Sequence, residues 1–343
     1  MDSLMAVAVE PPARAVRAPL LRLVGRRALW GIPVCFAVTF AVFVLAAIAP
    51  SGAVSSLLGG NEEFVAGQAR ADAQETTSIG NPVIAWVRWL GHAMTGDLGW
   101  SAQHRQTVVE VVGSRLGWTL LLMMLGFIVG GVLSLALALA AALPAKSLLA
   151  QAASRLIVRA LLALSAFPSF VISLGLVAVF AVGLNWLPAG GLVDLGAPRT
   201  ADQLVRHLIM PVTAIALAQL PWMTLHLHTG LREGTQSRHA QAARFRGVPE
   251  RRILMGLVLP EALIPVLAIA GARLPEVIAG AVLVEEIFAI PGIGRELIDA
   301  ALSQDVYVIS VISALLAAVA IIGGALADLL LARIDPRVSA DDL

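Results

Sequence analysis

No charged residue occurs between positions 116 and 143. A helix needs about 20 apolar residues to cross the hydrocarbon core of a bilayer. This run exceeds that, and comparable apolar stretches recur at 28–49, 157–183, 207–228, 260–284 and 306–332. Only 14% of the residues are charged and 58% are hydrophobic, whereas a soluble domain carries about 25% charge. The fold class this predicts is an all-α integral membrane protein with six transmembrane helices. Pro168 is expected to kink the third.

The basic N-terminal stretch followed by apolar residues superficially resembles a secretory signal. The apolar part, 28–49, is longer than the roughly 7–15 residues of a signal core. It reads as a retained first span behind a basic tail at 1–27. A net charge of +1 gives no reason to expect nucleic acid, and Cys35 alone supports neither a disulfide framework nor a cysteine metal site.

The longest polar region, 50–112, is poor in basic residues and holds Asp97 and Trp100. Within it, 82–90 reads as a short amphipathic helix with Trp86 and Trp89 at the lipid interface. The segments 1–27, 144–156, 229–259 and 333–343 hold most of the arginines. By the positive-inside rule they face the cytoplasm, together with both termini. The densest of them is an island with Arg238, Arg244, Arg246, Arg251 and Arg252. A short helix is expected there from about Ser237 to Phe245, ended by Gly247 and Pro249. The island is either a solvated loop or a docking surface for a soluble partner. The predicted divisions are the tail 1–27, the span 28–49, an outside loop 50–112, a membrane core 113–335 containing the loop 229–259, and a tail 336–343.

No Gly-x-x-x-x-Gly-Lys-Ser/Thr phosphate loop is present, since Ala140 stands where the first glycine of such a loop before Lys146-Ser147 belongs. An ATP-driven role therefore requires a separate subunit. His226 and His228 are two residues apart and share no helix face, and His-Glu-x-x-His is absent. No catalytic or metal-ligating set emerges, and nothing resembles the selectivity filter of a channel. Arg273 and Glu276 lie three apart at membrane depth and share a face. A buried charge in lipid costs about 3 kcal/mol or more. They read either as the lining of a translocation path or as a structural ion pair at a bundle or subunit interface.

The island resembles the cytoplasmic Glu-Ala-Ala loop of ATP-binding-cassette importers. Gln241-Ala242-Ala243 is followed by three residues and Gly247, then nine residues, then Leu257, Val258 and Leu259-Pro260. Gln replaces Glu, and Leu257 replaces Ile. Several other stretches look like the dipeptide/oligopeptide and nickel permease branch. They include Gly96-Asp97-Leu98-Gly99-Trp100-Ser101, Arg115–Leu120, His207–Pro211, Gly280–Glu285, Phe288–Gly294 and Asp335-Pro336-Arg337-Val338. The long loop after the first helix is similar to that of the first of the two permeases in such systems.

The resemblance implies a type I importer permease of the MetI-like kind, in a bacterial inner membrane. It implies a second homologous permease, two ATPase subunits that bind the ATP and magnesium, and an extracytoplasmic binding protein. The helix at about 238–246 would couple to an ATPase through Gln241, Ala242, Ala243, Arg244, Arg246, Gly247 and Pro260. Small Ala242 and Ala243 would permit close approach, and Arg244 and Arg246 would reach acidic groups. Asp97 and Trp100 would belong to the surface that meets the binding protein and shapes the outer gate. The solute is expected to be a di- or oligopeptide. Nickel or another small solute on the same architecture is the alternative, and an intramembrane enzyme is the competing class.

Overall fold

The computed structural model describes residues 17–48, 81–142 and 148–334. Residues 1–16 of the expected tail 1–27, about the first half of the polar loop 50–112 (to residue 80), the turn 143–147 and the expected tail 336–343 lie outside the described residues. Helix α1 spans Arg17–Ile48, so it begins inside the basic stretch expected to be a tail. Helix α2 is Pro82–Met94. A two-stranded antiparallel hairpin follows, β1 (Trp100–Ser101) and β2 (Gln106–Thr107), with Trp100 opposite Thr107. Helix α3 covers Val108–Ala142, α4 Leu148–Leu164, and α5 Ser169–Leu176, which continues as a π-turn through Gly183. Helix α6 covers Ala201–Gln236, α7 Arg238–Phe245 and α8 Glu250–Ile253, extended by a π-turn to Val258. Helices α9 (Leu259–Ala272), α10 (Leu274–Ile287), α11 (Ile293–Ser303) and α12 (Val306–Ile334) complete the chain.

Among the described residues, five helices are long and apolar enough to cross a membrane. A sixth crossing exists if the pair 151–164 and 169–183 is one broken span. That pair bends by 104°, far more than the kink expected at Pro168. The proline sits at the N-cap of α5 in an extended conformation, so the ladder stops there and restarts.

Two spans start earlier than the apolar runs suggest, because polar caps extend them. Thr107 and Glu110 form a reciprocal capping box: the Glu110 amide donates to Thr107 Oγ1 and the Thr107 amide donates to the Glu110 carboxylate, both at 3.3 Å. Helix α3 therefore begins inside the stretch expected to be outside loop to 112. Thr200 likewise accepts from the Gln203 amide and starts α6 before the expected 207.

Lipid tails are as apolar as leucine, so close packing of small residues holds membrane helices together. Gly126 and Gly130 place α3 against α6: a Cβ on Gly126 would overlap Ile215, and one on Gly130 would lie 3.2 Å from the Ala216 carbonyl oxygen. Helix α1 packs on α12, where a Cβ on Gly31 would reach 2.8 Å from Ile321. Helix α2 lies against α1. Its two tryptophans turn toward the protein, where each indole finds an acceptor. Trp86 Nε1 donates to Thr39 Oγ1 at 3.1 Å, and Trp89 Nε1 donates to the Leu98 carbonyl at 3.2 Å. The faces left outward carry Val83, Ile84 and Val87.

Candidate functional site

Helix α7 is built as a closed block on one end of the bundle. Ser237 caps its start by accepting from the Ala240 amide at 3.2 Å. At its end the Gly247 amide donates to Arg244 O at 2.9 Å and the Val248 amide donates to Ala243 O at 3.1 Å, a Schellman closure. Gly247 holds φ at +76°, the left-handed region that glycine adopts without penalty. Ala240 and Ala243 are buried in a cluster with Leu231, Ile253, Val258 and Leu259. The helix is thereby mounted on the end of α6 and on the segment leading into α9.

This orientation sorts the seven residues expected to meet a partner. Gln241, Ala242, Arg246 and Gly247 are exposed. Ala243 is not available for close approach, because its methyl group is buried in the chain's own core. Arg244 is exposed too, but its guanidinium is engaged by the loop itself. Its guanidinium donates twice to Glu250, at 2.9 and 2.6 Å, and once to the Thr235 carbonyl at 2.8 Å. The hydrogen bonds to Glu250 raise its pKa further. Gln241 Nε2 donates to the Gln236 carbonyl, the last of α6, at 3.1 Å. The carboxylate of the motif's usual glutamate has no N–H for this bond. Pro260 is exposed in the first turn of α9, where a missing amide N–H is harmless.

The residue that sequence reasoning missed here is Phe245. It is 90% exposed, an aromatic ring standing in a surface otherwise formed by Arg238, His239, Gln241 and Arg246. Helical periodicity places it opposite Ala240 and Ala243, but only the fold shows that those two are the buried face.

The other end of the bundle carries a cap held by three buried carboxylates. Glu285, fully buried, accepts from the Thr119 hydroxyl at 2.6 Å, the Gly294 amide at 2.7 Å and the Arg295 amide at 3.3 Å. Thr119 Oγ1 in turn accepts from the Ile293 amide at 2.8 Å. The first three N–H groups of α11 are satisfied in this way from α10 and α3, since its N-cap Gly292 has no side chain to do it. Glu296 pairs with Arg115 at 2.6 Å and with His104 at 2.7 Å. Asp305 accepts from the Ser101 hydroxyl at 2.6 Å. The hairpin is thus pinned to α11 and to the start of α12. Asp97 is exposed and closes the turn before the hairpin by accepting from the Gly99 amide at 3.0 Å. Trp100 is half-buried in β1.

Arg273 and Glu276 lie between these ends. The helix breaks at Arg273, which closes α9 and opens α10. Their charged groups are 3.4 Å apart and both side chains are more than a third exposed on this chain. The guanidinium also stands 5.6 Å from the centre of the Trp222 ring. His226 is not paired with His228; its Nδ1 bonds the Trp222 carbonyl one turn back. Among the described residues no cluster of His, Cys, Asp or Glu is arranged to hold a metal.

A bundle of membrane-crossing helices, capped at one end and carrying a projecting, doubly capped helix between two spans at the other, defines a multi-pass membrane permease. Residues 134–340 match the family of binding-protein-dependent transport system inner membrane components, and the chain belongs to that family. Similar proteins share nearly the full length. The oligopeptide transport system permease protein AppB of Bacillus subtilis (strain 168) is 30% identical over 315 residues, 91% of this chain and 98% of the relative. The di/tripeptide transport system permease protein DppB of Pseudomonas aeruginosa (strain UCBPP-PA14) is 29% identical over 338 residues, covering 93% and 99%. The oligopeptide transport system permease protein OppB of Escherichia coli (strain K12) is 27% identical over 321 residues, again 93% and 99%.

Proposed function

We propose that this chain is one of two permease subunits in an ATP-driven peptide importer, and that α7 is the element through which an ATPase subunit drives it. The observation that carries the reading is α7 itself. It is fixed to α6 and α9 on one face, capped at both ends, and presents Phe245 with exposed cationic neighbours on the other. The full-length similarity to permeases named for oligopeptides and di/tripeptides supports a peptide as the solute.

In this mechanism the chain performs no covalent chemistry. Two partner ATPases bind ATP and magnesium at the cytoplasmic end, where the arginine-rich loop and both termini lie. Closure of the ATPases displaces α7, and the buried contacts of Ala240 and Ala243 pass the displacement to α6 and α9. A solute-binding protein docks on the capped outer end, at the surface that includes Asp97 and Trp100. Arg273 and Glu276, exposed at a helix break, line the path shared with the second permease. Switching between inward- and outward-open states follows from the difference in binding energy between them.

The test is isolation of the full chain from its native membrane, followed by identification of co-purifying subunits that carry a phosphate loop. Uptake of labelled di- and tripeptides is then compared with uptake of nickel. Recovery of ATPases with peptide uptake supports the proposal. A chain recovered without ATPases overturns the coupling role, and nickel uptake without peptide uptake overturns the solute.

A further inference from the structure

The broken pair α4–α5 poses a problem of placement that the transport reading does not address. With a 104° bend between them, the two legs cannot both stand along the bilayer normal. From Ser169 to Gly183 there is no charged residue, so the second leg suits the hydrocarbon. The first leg carries Arg155 and Arg159, one turn apart and on the same face. An arginine at the centre of the bilayer costs about 2.5–3.5 kcal/mol. The first leg is therefore the one that lies flat.

Its position is fixed by an independent contact. Ser154 Oγ donates to the Ala141 carbonyl at 3.0 Å, beside Ala142, where α3 ends. The middle of α4 thus sits beside the last described turn of α3, on the side of the bundle where α7 projects. Leu161 is turned inward and buried, while Leu156 and Leu162 are 67% and 55% exposed on either side of the arginines. Both arginines are exposed, and neither has an ion-pair partner among the described residues. No acidic residue occurs between Glu110 and Asp194 to supply one nearby in sequence.

We propose that α4 is an interfacial helix that binds anionic lipid, with Arg155 and Arg159 on headgroup phosphates and Leu156 and Leu162 in the acyl boundary. The combination of exposed cations with exposed leucines on their flanks fits a lipid surface better than a purely acidic protein surface, which would leave the leucines in water. The inference goes beyond the importer reading and holds whatever solute is carried.

The assembled transporter, carrying Cys35→Ser and single cysteines placed from 151 to 164, is spin-labelled in phosphatidylcholine vesicles with or without phosphatidylglycerol. Accessibility to oxygen and to a polar nickel complex should alternate with a period of about 3.6 residues at constant depth. Depth that increases steadily from 151 to 164 means a membrane-crossing leg and overturns the proposal. Phosphatidylglycerol retained by the complex, measured by native mass spectrometry, should fall about fivefold for each of R155Q and R159Q. Unchanged retention overturns it. Protection of the label at 155 by a partner subunit, equal in both lipid mixtures, assigns the face to protein contact and also overturns it.

Discussion

Phe245 is the side chain on α7 with the most to gain from burial by a partner. Aromatic anchors at the centre of an interface commonly account for 2 kcal/mol or more of binding. Phe245→Asp should therefore weaken ATPase association by roughly 30-fold, while the chain itself remains folded, because the ring makes almost no contact within it. Titration of purified ATPase against the reconstituted permease checks this. Glu285 is the opposite case, with every bond internal. Glu285→Ala removes the acceptor for one hydroxyl and two amides and should lower stability by about 2–4 kcal/mol. Glu285→Gln keeps the shape and one acceptor oxygen, and should be milder. Thermal denaturation of the two variants gives the order, and equal stability with the parent would count against a structural role.

At the scale of elements, the caps of α7 are where the proposed coupling role can be tested. Gly247 has open space around its Cβ position, so a side chain there is penalised by the backbone alone. The left-handed conformation costs an ordinary residue about 1–2 kcal/mol, and asparagine less. Gly247→Leu should lower the amount of solute moved per ATP hydrolysed, with Gly247→Asn close to the parent. Unchanged coupling in the leucine variant would sink the idea that this closure matters. The spacing of Gln241 to Pro260 and the caps around it were legible in the sequence, because small, polar and glycine residues at fixed offsets leave few alternatives. The burial of Ala243 and the engagement of Arg244 were not. Both depend on Glu250, Ile253 and Leu259, which approach α7 only after the chain has turned. The cap at the other end was hidden for the same reason. Glu285, Glu296 and Asp305 find Thr119, Arg115 and Ser101 only when the fold brings these from the far side of the sequence. The early start of α3 was readable in Thr107 and Glu110, but the charges of Glu110 and Arg115 made the segment look like loop.

Across the whole molecule, the apolar runs marked where membrane helices lie, but only five of the six expected crossings are single long helices among the described residues; the 104° bend and the break at Arg273 are decided by how the legs pack. Glu276→Gln separates the two roles left for that break. If the pair lines the path, uptake should fall severalfold with stability unchanged; normal uptake with a lower melting temperature assigns it to structure instead. Solute uptake and thermal denaturation measured on the same reconstituted sample check this. The α3–α6 contact leaves no room for a larger residue at its glycines. Gly126→Val drives a side chain into Ile215 and should destabilise the bundle by about 1–3 kcal/mol, seen as a lower melting temperature.

The pairings that close the cap also set an order of events during synthesis. Ser101 waits for Asp305, His104 waits for Glu296, and α1 packs on α12, each across most of the chain. The first helix has α2 beside it early, but it gains its long contact with α12 only when the last span has been inserted. A ribosome stalled before Val306 should leave α1 open to degradation, while the α3–α6 pair is already formed.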